Sequence, residues 1–469
     1  MNDYPVQYPT NDYFGREARF EHGKSLRKDC TRSSHAEVVL GQGPRDPVAL
    51  IEVSNGDRVE HLLPVRFGRM SESSFAFFRG TANLQAHDLK GTPSSGIVVQ
   101  CCGDCHLMNF GGFATPERRQ VFDINDFDET FPAPFEWDLK RLAVSFALAA
   151  RWLGFEPTDC LAAAAAVIAA YREHINVYAN MGALEVWYAQ ITAEALLEQF
   201  EKDEEFHKRL SKAMEKAALN TSERVFNKLT TEEDGHFRIV DQPPLLFHVH
   251  GAEVDLQSEL EPFFKSYRET LTADRQTLYD RYRLTDFAHK VVGVGSVGTR
   301  CYIALFMADK DDPLFLQIKQ ARASVLEGLA GPPRWASNGE RVIAGQRLLQ
   351  SASDIFLGWS LDAHGRDFYV RQLRDMKFSP DLTGFTPKLL GYYANMCGQV
   401  LARSHSKAGE APTIAGYLGA GPGFDEAIAQ YAIGYADQVE QDFAAFQSAI
   451  RLGRLPIDSM PAAIEQAII

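Results

Sequence analysis

The stretch QCCGDCHLMNFGG, residues 100–112, holds two overlapping patterns with different chemistries. Cys102, Cys105 and His106 spell C-x-x-C-H, the pattern of covalent haem attachment. Read from Gly103, the same stretch is G-D-x-H-x-x-N, with Asp104 five residues ahead of Asn109. Phosphoryl transfer needs a carboxylate to accept or orient the attacking hydroxyl, plus an amide oxygen and a second carboxylate to hold Mg2+ against nucleotide phosphates. Asp104 suits the first role. Asn109 and Asp126 suit the second, with Asp128 beside them in VFDINDFDET, residues 121–130. Aspartate and asparagine are also common turn formers, so this pattern alone leaves a plain turn open. Cys101, Cys102, Cys105 and His106 offer zinc as a third reading, though no second C-x-x-C or H-x3-H lies elsewhere to complete a separate tetrahedral set.

A second constellation lies in VVGVGSVGTRCYIALF, where Gly293, Gly295 and Gly298 form G-x-G-x-x-G around Ser296. A dinucleotide fold would require a helix directly afterwards. CYIALF predicts a strand instead, so the glycines tip a hairpin, the arrangement of a loop folded over ATP phosphates. PLFLQIK then ends a third strand at Lys319, where a kinase lysine meets the α- and β-phosphates. A helix-borne glutamate should pair with it: Glu340, at the start of GERVIAGQRLLQ, and Glu327, in SVLEG, are the candidates, and either also suits a solvated helix end. Arg66, Arg69 and Arg79 flank the aromatic stretch RFGRMSESSFAFFRG and fit either bidentate anion binding or stacking on the rings.

The chain that must position these groups has 469 residues, too many for one ordinary core, which predicts two lobes with a cleft between them. Its 62 acidic and 48 basic side chains give a net charge of −14, which repels a phosphate backbone and predicts no nucleic-acid partner. Seven scattered cysteines form no disulfide framework, and the first residues lack a basic start followed by an apolar run. A cytoplasmic protein with reduced thiols is expected, which weighs against haem because its attachment requires export. The longest apolar run, CLAAAAAVIAAY from Cys160 to Tyr171, is too short for a bilayer and reads as a buried core helix, so no membrane association is expected.

Residues 1–95 read as polar, turn-rich and aromatic. GIVVQC and VFDIN read as strands with GGFATPERRQ as turn material between them, and helices follow from Trp137 to about Lys228: DLKRLAVSFALAARWL, the alanine-rich run, LEVWYAQITAEALLEQF and KRLSKAMEKAALNTSERVFNKL. From about Ala288 a five-strand block with one helix is expected, and helices again from Pro387 to Ala408 and at the carboxyl end. The class is α+β, with helices early and strands late.

GDCHLMN followed by DFD resembles the catalytic and metal loops of aminoglycoside-phosphotransferase-like kinases, and PFEWDLKRLAVSF resembles the helix after them, whose aspartate, here Asp138, braces the catalytic loop. Most of residues 60–445 is similar to a large uncharacterised bacterial family of the protein-kinase-like superfamily, through RFGRM, FAFFRG, CGDCHLMNFG, DINDFDET, EWDLKRLA, LFLQIK, GQRLLQSASDIFLGW, GRDFYVRQLRDMK and LARSHSKAG. The resemblance implies a two-lobed protein-kinase-like fold. The glycine loop and lysine follow the catalytic loop here instead of preceding it, which implies circularly permuted lobes, a rearrangement that is cheap where termini lie close together. The implied units are an amino-terminal extension (1–95), a large-lobe part with both loops (96–230), a connector (231–287), a small nucleotide lobe ending in the hinge RQLRDMK (288–377) and a helical return to the large lobe (378–469). Cys102 departs from the histidine such enzymes usually carry before Gly-Asp. The implied function is ATP- and Mg2+-dependent phosphoryl transfer to a small hydroxylated molecule or a protein. Nucleotidyl transfer on the same fold, and a non-catalytic nucleotide-binding scaffold, stay open beside it.

Overall fold

The helix Phe135–Trp152 is buried on every side, from Phe135 to Ala150, with a mostly apolar second half and a first half whose Glu136, Asp138 and Arg141 find partners inside. The computed structural model, which describes residues 15–41, 45–219, 222–233, 235–243, 245–248, 256–291, 295–373 and 376–458, builds its helical lobe around this element. Helices Pro157–Tyr178 and Gly423–Arg451 pack on it, and Pro387–Ala408 lies along Pro157–Tyr178. The last two approach closely at Gly398, where a Cβ would come within 2.4 Å of the Val167 carbonyl oxygen. Among the described residues, no helix is long and apolar enough to cross a membrane.

The chain reaches this hub helix through four short strands. β1 (Val98–Cys101) leads into the loop bearing Asp104, then β2 (Phe110–Ala114) and β3 (Gln120–Ile124) form a hairpin, and β4 (Phe131–Pro134) returns to pair antiparallel with β1. The sequence reading took FGGFA as turn material. It is a buried strand because its glycines face close neighbours: Gly112 exchanges both backbone hydrogen bonds with Phe378, and a Cβ there would lie 1.7 Å from the Phe378 ring.

Beyond the helices lie a hairpin, β5 (Thr230–Glu233) and β6 (His236–Ile239), and an antiparallel six-stranded sheet. The sheet comprises β7 (Leu246–Phe247), β8 (Arg283–Lys290), β9 (Cys301–Asp309), β10 (Asp312–Gln320), β11 (Gly358–Leu361) and β12 (Asp367–Gln372), in the order β11-β12-β10-β9-β8-β7. Helix Asn338–Leu349, capped by the Ser337 hydroxyl, packs on β11 and β12. The expected connector at 231–287 is in fact built into the sheet. It supplies β7 and five of the eight residues of β8, and its helix Leu256–Glu269 packs on β11, with the Tyr267 hydroxyl donating to the Phe356 carbonyl at 2.7 Å.

The described residues before 96 are largely helical, contrary to the turn-rich expectation. Helices Pro47–Ser54, Leu63–Met70, Ser74–Arg79 and Ala82–Leu89 lie against the helical lobe, where Phe67 and Phe77 meet Phe446 with ring centroids 6.1 and 5.2 Å apart. Two stretches read as single helices are each divided. LEVWYAQITAEALLEQF breaks into Ala183–Tyr188 and Ala193–Gln199, because the Ile191 carbonyl accepts from the Phe122 amide of β3. KRLSKAMEKAALNTSERVFNKL forms Glu204–Ala218 and Ser222–Leu229.

Candidate active site

The turn after β1 admits only glycine at its corner. Gly103 has φ +86°, and a Cβ on it would lie 2.0 Å from the Glu129 carbonyl oxygen. Asp138, in the first turn of the hub helix, accepts the amides of Cys102 at 2.8 Å and Gly103 at 3.0 Å. His405 Nε2 lies 3.2 Å from the same carboxylate, and the Tyr171 hydroxyl lies 2.9 Å from His405 Nδ1, so a buried chain of three side chains stands behind the turn. Asp104 emerges from it half-buried, with Oδ1 accepting from Arg141 Nε at 2.5 Å. Arg141 is itself held by Gln85 Oε1, the Phe78 carbonyl and the Phe78 ring.

Asn109 gives its side-chain N–H to the Asp104 carbonyl at 2.7 Å, which leaves Oδ1 as its free ligand atom. Its own carbonyl accepts from the Asn125 amide at 2.7 Å and so ties the two loops together. His106 Nε2 stands 3.8 Å from Asp104 Oδ2; burial pulls its pKa down to about 4, so the ring is neutral near pH 7.

Across from these groups, β10 delivers Lys319 one residue before its end. Lys319 Nζ lies 2.7 Å from Asp128 Oδ2 and 3.7 Å from Asp126 Oδ2, and the Tyr369 hydroxyl of β12 donates to Asp128 Oδ1 at 2.5 Å. Burial alone would lower the lysine pKa, but Asp126 and Asp128 outweigh it and hold it well above the ordinary value. Two stretches nearly two hundred residues apart thus face one crevice. Among the described residues, the ion pairs of Lys319 are with these two aspartates. Neither Glu327 nor Glu340 reaches it. Glu340 sits in the first turn of Asn338–Leu349, where an acid suits the helix dipole, and Ser337 caps its amide. The next residue turns inward instead: Arg341 donates to the carbonyls of Thr130, Asp128 and Arg322 at 2.6, 2.9 and 2.6 Å.

β8 and β9 are antiparallel neighbours, and the glycine loop lies between them in the sequence. Gly293 lies outside the described residues; Gly295, Ser296 and Thr299 border a cavity of about 400 Å³ together with Asp104, Asn109, Asp126 and Asp128. Gly298, at φ +86°, accepts the Val59 amide on its carbonyl at 2.7 Å. Arg66 Nη1 donates to the Gly295 carbonyl at 2.9 Å, its Nη2 to Gly80 and its Nε to Asn55, while Arg58 Nη1 donates to the Val297 carbonyl at 2.6 Å. The described part of the loop is therefore fastened to the segment ahead of β1. Arg66 works on backbone oxygens, and Arg79 lines the cavity with its guanidinium 5.8 Å from the Phe75 ring centroid. Arg58, Gln320 and Arg322 also line the cavity and were missed, since no motif spacing or periodicity marks them. Of the hinge stretch, Arg371 donates to Gln317 Oε1 at 2.9 Å, and residues 374 and 375 lie outside the described ones.

Residues 58–449 match the model of a family described as an uncharacterized protein conserved in bacteria (DUF2252). The chain belongs to this family. Asp104, Asn109, Asp126, Asp128, Lys319 and all the cavity arginines fall within the DUF2252 region. No curated protein and no solved structure matches the chain.

The cysteines of this DUF2252 chain lie behind the turn that carries Asp104. Two triads bring ligand atoms within 4.8 Å of one another: Cys101, Asp138 and His405, and Cys102, Cys105 and Asp138. Burial pushes all three thiols up, Cys105 to about 11, so they are protonated near pH 7. Both Asp138 oxygens already accept backbone amides. A metal there would have to take the carboxylate away from the turn it holds.

Proposed function

We propose that this protein is an ATP- and Mg2+-dependent phosphotransferase acting on a hydroxyl acceptor, small or proteinaceous. The observation that carries the reading is the meeting of Lys319 with Asp128 and Asp126 beside Asp104 and Asn109. Further support comes from the succession in the sheet: a glycine turn between β8 and β9, a lysine at the end of β10, and a helix between β10 and β11. A small nucleotide lobe in permuted order, as the kinase resemblance implies, would have such a succession.

Asp104, held by Arg141, would orient the acceptor hydroxyl and take its proton. Asn109 Oδ1, Asp126 and Asp128 would hold Mg2+, which when bound supplies positive charge against the developing charge of the transferred group. Lys319 would exchange its aspartate contacts for the α- and β-phosphates, and the glycine loop would cover them. The test is calorimetric titration of Mg·ATP. Asp126→Ala should abolish binding that the native protein shows, and unchanged binding would refute the assignment. Labelled ATP then shows whether the γ-phosphate or AMP reaches an acceptor, or neither, as a non-catalytic scaffold requires.

A further inference from the structure

Three arginines crowd one wall of the crevice, beside carboxylates already engaged elsewhere or, as Glu129, held by a backbone amide. Asp104 is paired with Arg141, and Asp126 and Asp128 with Lys319, yet Arg58, Arg66 and Arg322 also line the wall. Arg66 gives donors to Asn55, Gly295 and Gly80. Arg58 gives Nη1 to a carbonyl, while its Nε is buried without a hydrogen-bond partner. Arg322 gives Nη2 to the Ser54 carbonyl, and its Nε stands 3.9 Å from Asp57 Oδ2, too far for a hydrogen bond.

Carbonyl oxygens satisfy single N–H groups but carry no charge, so the Arg58 guanidinium and Arg322, whose ion pair with Asp57 is long, keep donor capacity toward the crevice. Burial first, and then mutual repulsion, depress two of the three arginines: Arg58 falls well below its ordinary pKa despite Glu129 and Asp128, and Arg66 falls to about 9 beside Arg322. An oxyanion placed among them would take the unused donors and relieve the repulsion together. Phosphate suits best, because the guanidinium fork matches its oxygens and a dianion answers more than one cation.

We propose that Arg58 and Arg322, with the charge of Arg66 behind them, form a seat for a phosphate group inside this crevice. The seat stands on its own geometry; only the identity of the molecule that carries the phosphate rests on the phosphotransferase reading. That molecule is either the nucleotide, through its terminal phosphate, or an acceptor that is already phosphorylated.

Inorganic phosphate, titrated calorimetrically into the native protein at low ionic strength, should bind. Arg58→Met and Arg322→Met, each checked for an intact thermal transition, should weaken that binding by about tenfold or more. If Arg58→Met fails to fold, Arg322→Met decides. No phosphate binding by the native protein, or binding that a folded variant leaves unchanged, would overturn the seat. Repeating the titration with Mg2+ and saturating AMP-PNP separates the sources: displacement of phosphate assigns the seat to the nucleotide, and retention assigns it to the acceptor. Phosphate binding without any binding of Mg·AMP-PNP would sink the nucleotide reading and keep the seat.

Discussion

Asp104 owes its position to residues that never touch the crevice. Asp138 satisfies two buried amides and faces His405, so Asp138→Ala strips three partners at once. A loss of about 3–5 kcal/mol in urea unfolding is expected. Asp104→Asn should leave Mg·ATP affinity near native while slowing label transfer by about 10²–10⁴. A third expectation concerns Glu129, whose carboxyl burial pushes up from 4.5 to about 7. The folded state binds a proton that the unfolded state releases across this interval, so the stability it contributes is complete below pH 4.5 and lost as pH rises through 7. Glu129→Gln should therefore gain on the native protein by about 1–2 kcal/mol between pH 4.5 and 8, read from urea midpoints. At this scale the sequence was legible where short spacings encode a loop, as for Asp104, Asn109, Asp126 and Asp128. The partner of Lys319 was not, because which residue of a helix faces inward depends on its docking. Arg341 and not Glu340 points at the backbone of the loop that carries Asp128.

Among elements, long periodic helices were readable and short ones were not. The helices between residues 47 and 89 have six to eight residues each, about two turns, too little for a period to stand out. β2 was hidden by glycines whose purpose, close approach of Phe378, involves a residue far along the chain. Two glycines on one helix test such reasoning. Gly398→Ala would push a Cβ to 2.4 Å from a carbonyl oxygen of the neighbouring helix and should cost about 1–3 kcal/mol or more. Gly391→Ala, on the same helix with nothing within 4 Å, should instead stabilise by about 0.5–1 kcal/mol. Chemical denaturation of the pair distinguishes a packing requirement from a general intolerance of the helix.

Taken whole, the molecule is held together by contacts between its two ends. Arg45 bridges Asp88 and the C-terminal helix through Asp442 at 2.8 and 2.6 Å, and Phe67 and Phe77 lean on Phe446. The α+β class and the late position of the sheet were readable from composition switches along the chain. The role of residues between Leu50 and Asn83 as part of the crevice wall was not, because it depends on side-chain partners hundreds of positions away. All seven cysteines are buried, so a thiol reagent should label the native protein slowly and at a rate that follows unfolding, with prompt reaction only in denaturant. Fast labelling of folded protein would show that the core opens locally.

The bonds from Val59, Arg58 and Arg66 to the glycine turn have a kinetic meaning. If a nucleotide binds here, a cleft whose roof is fastened to its wall would have to breathe to admit it, breaking one main-chain bond and two arginine-to-carbonyl bonds that then re-form. Such gating would make turnover respond to solvent viscosity.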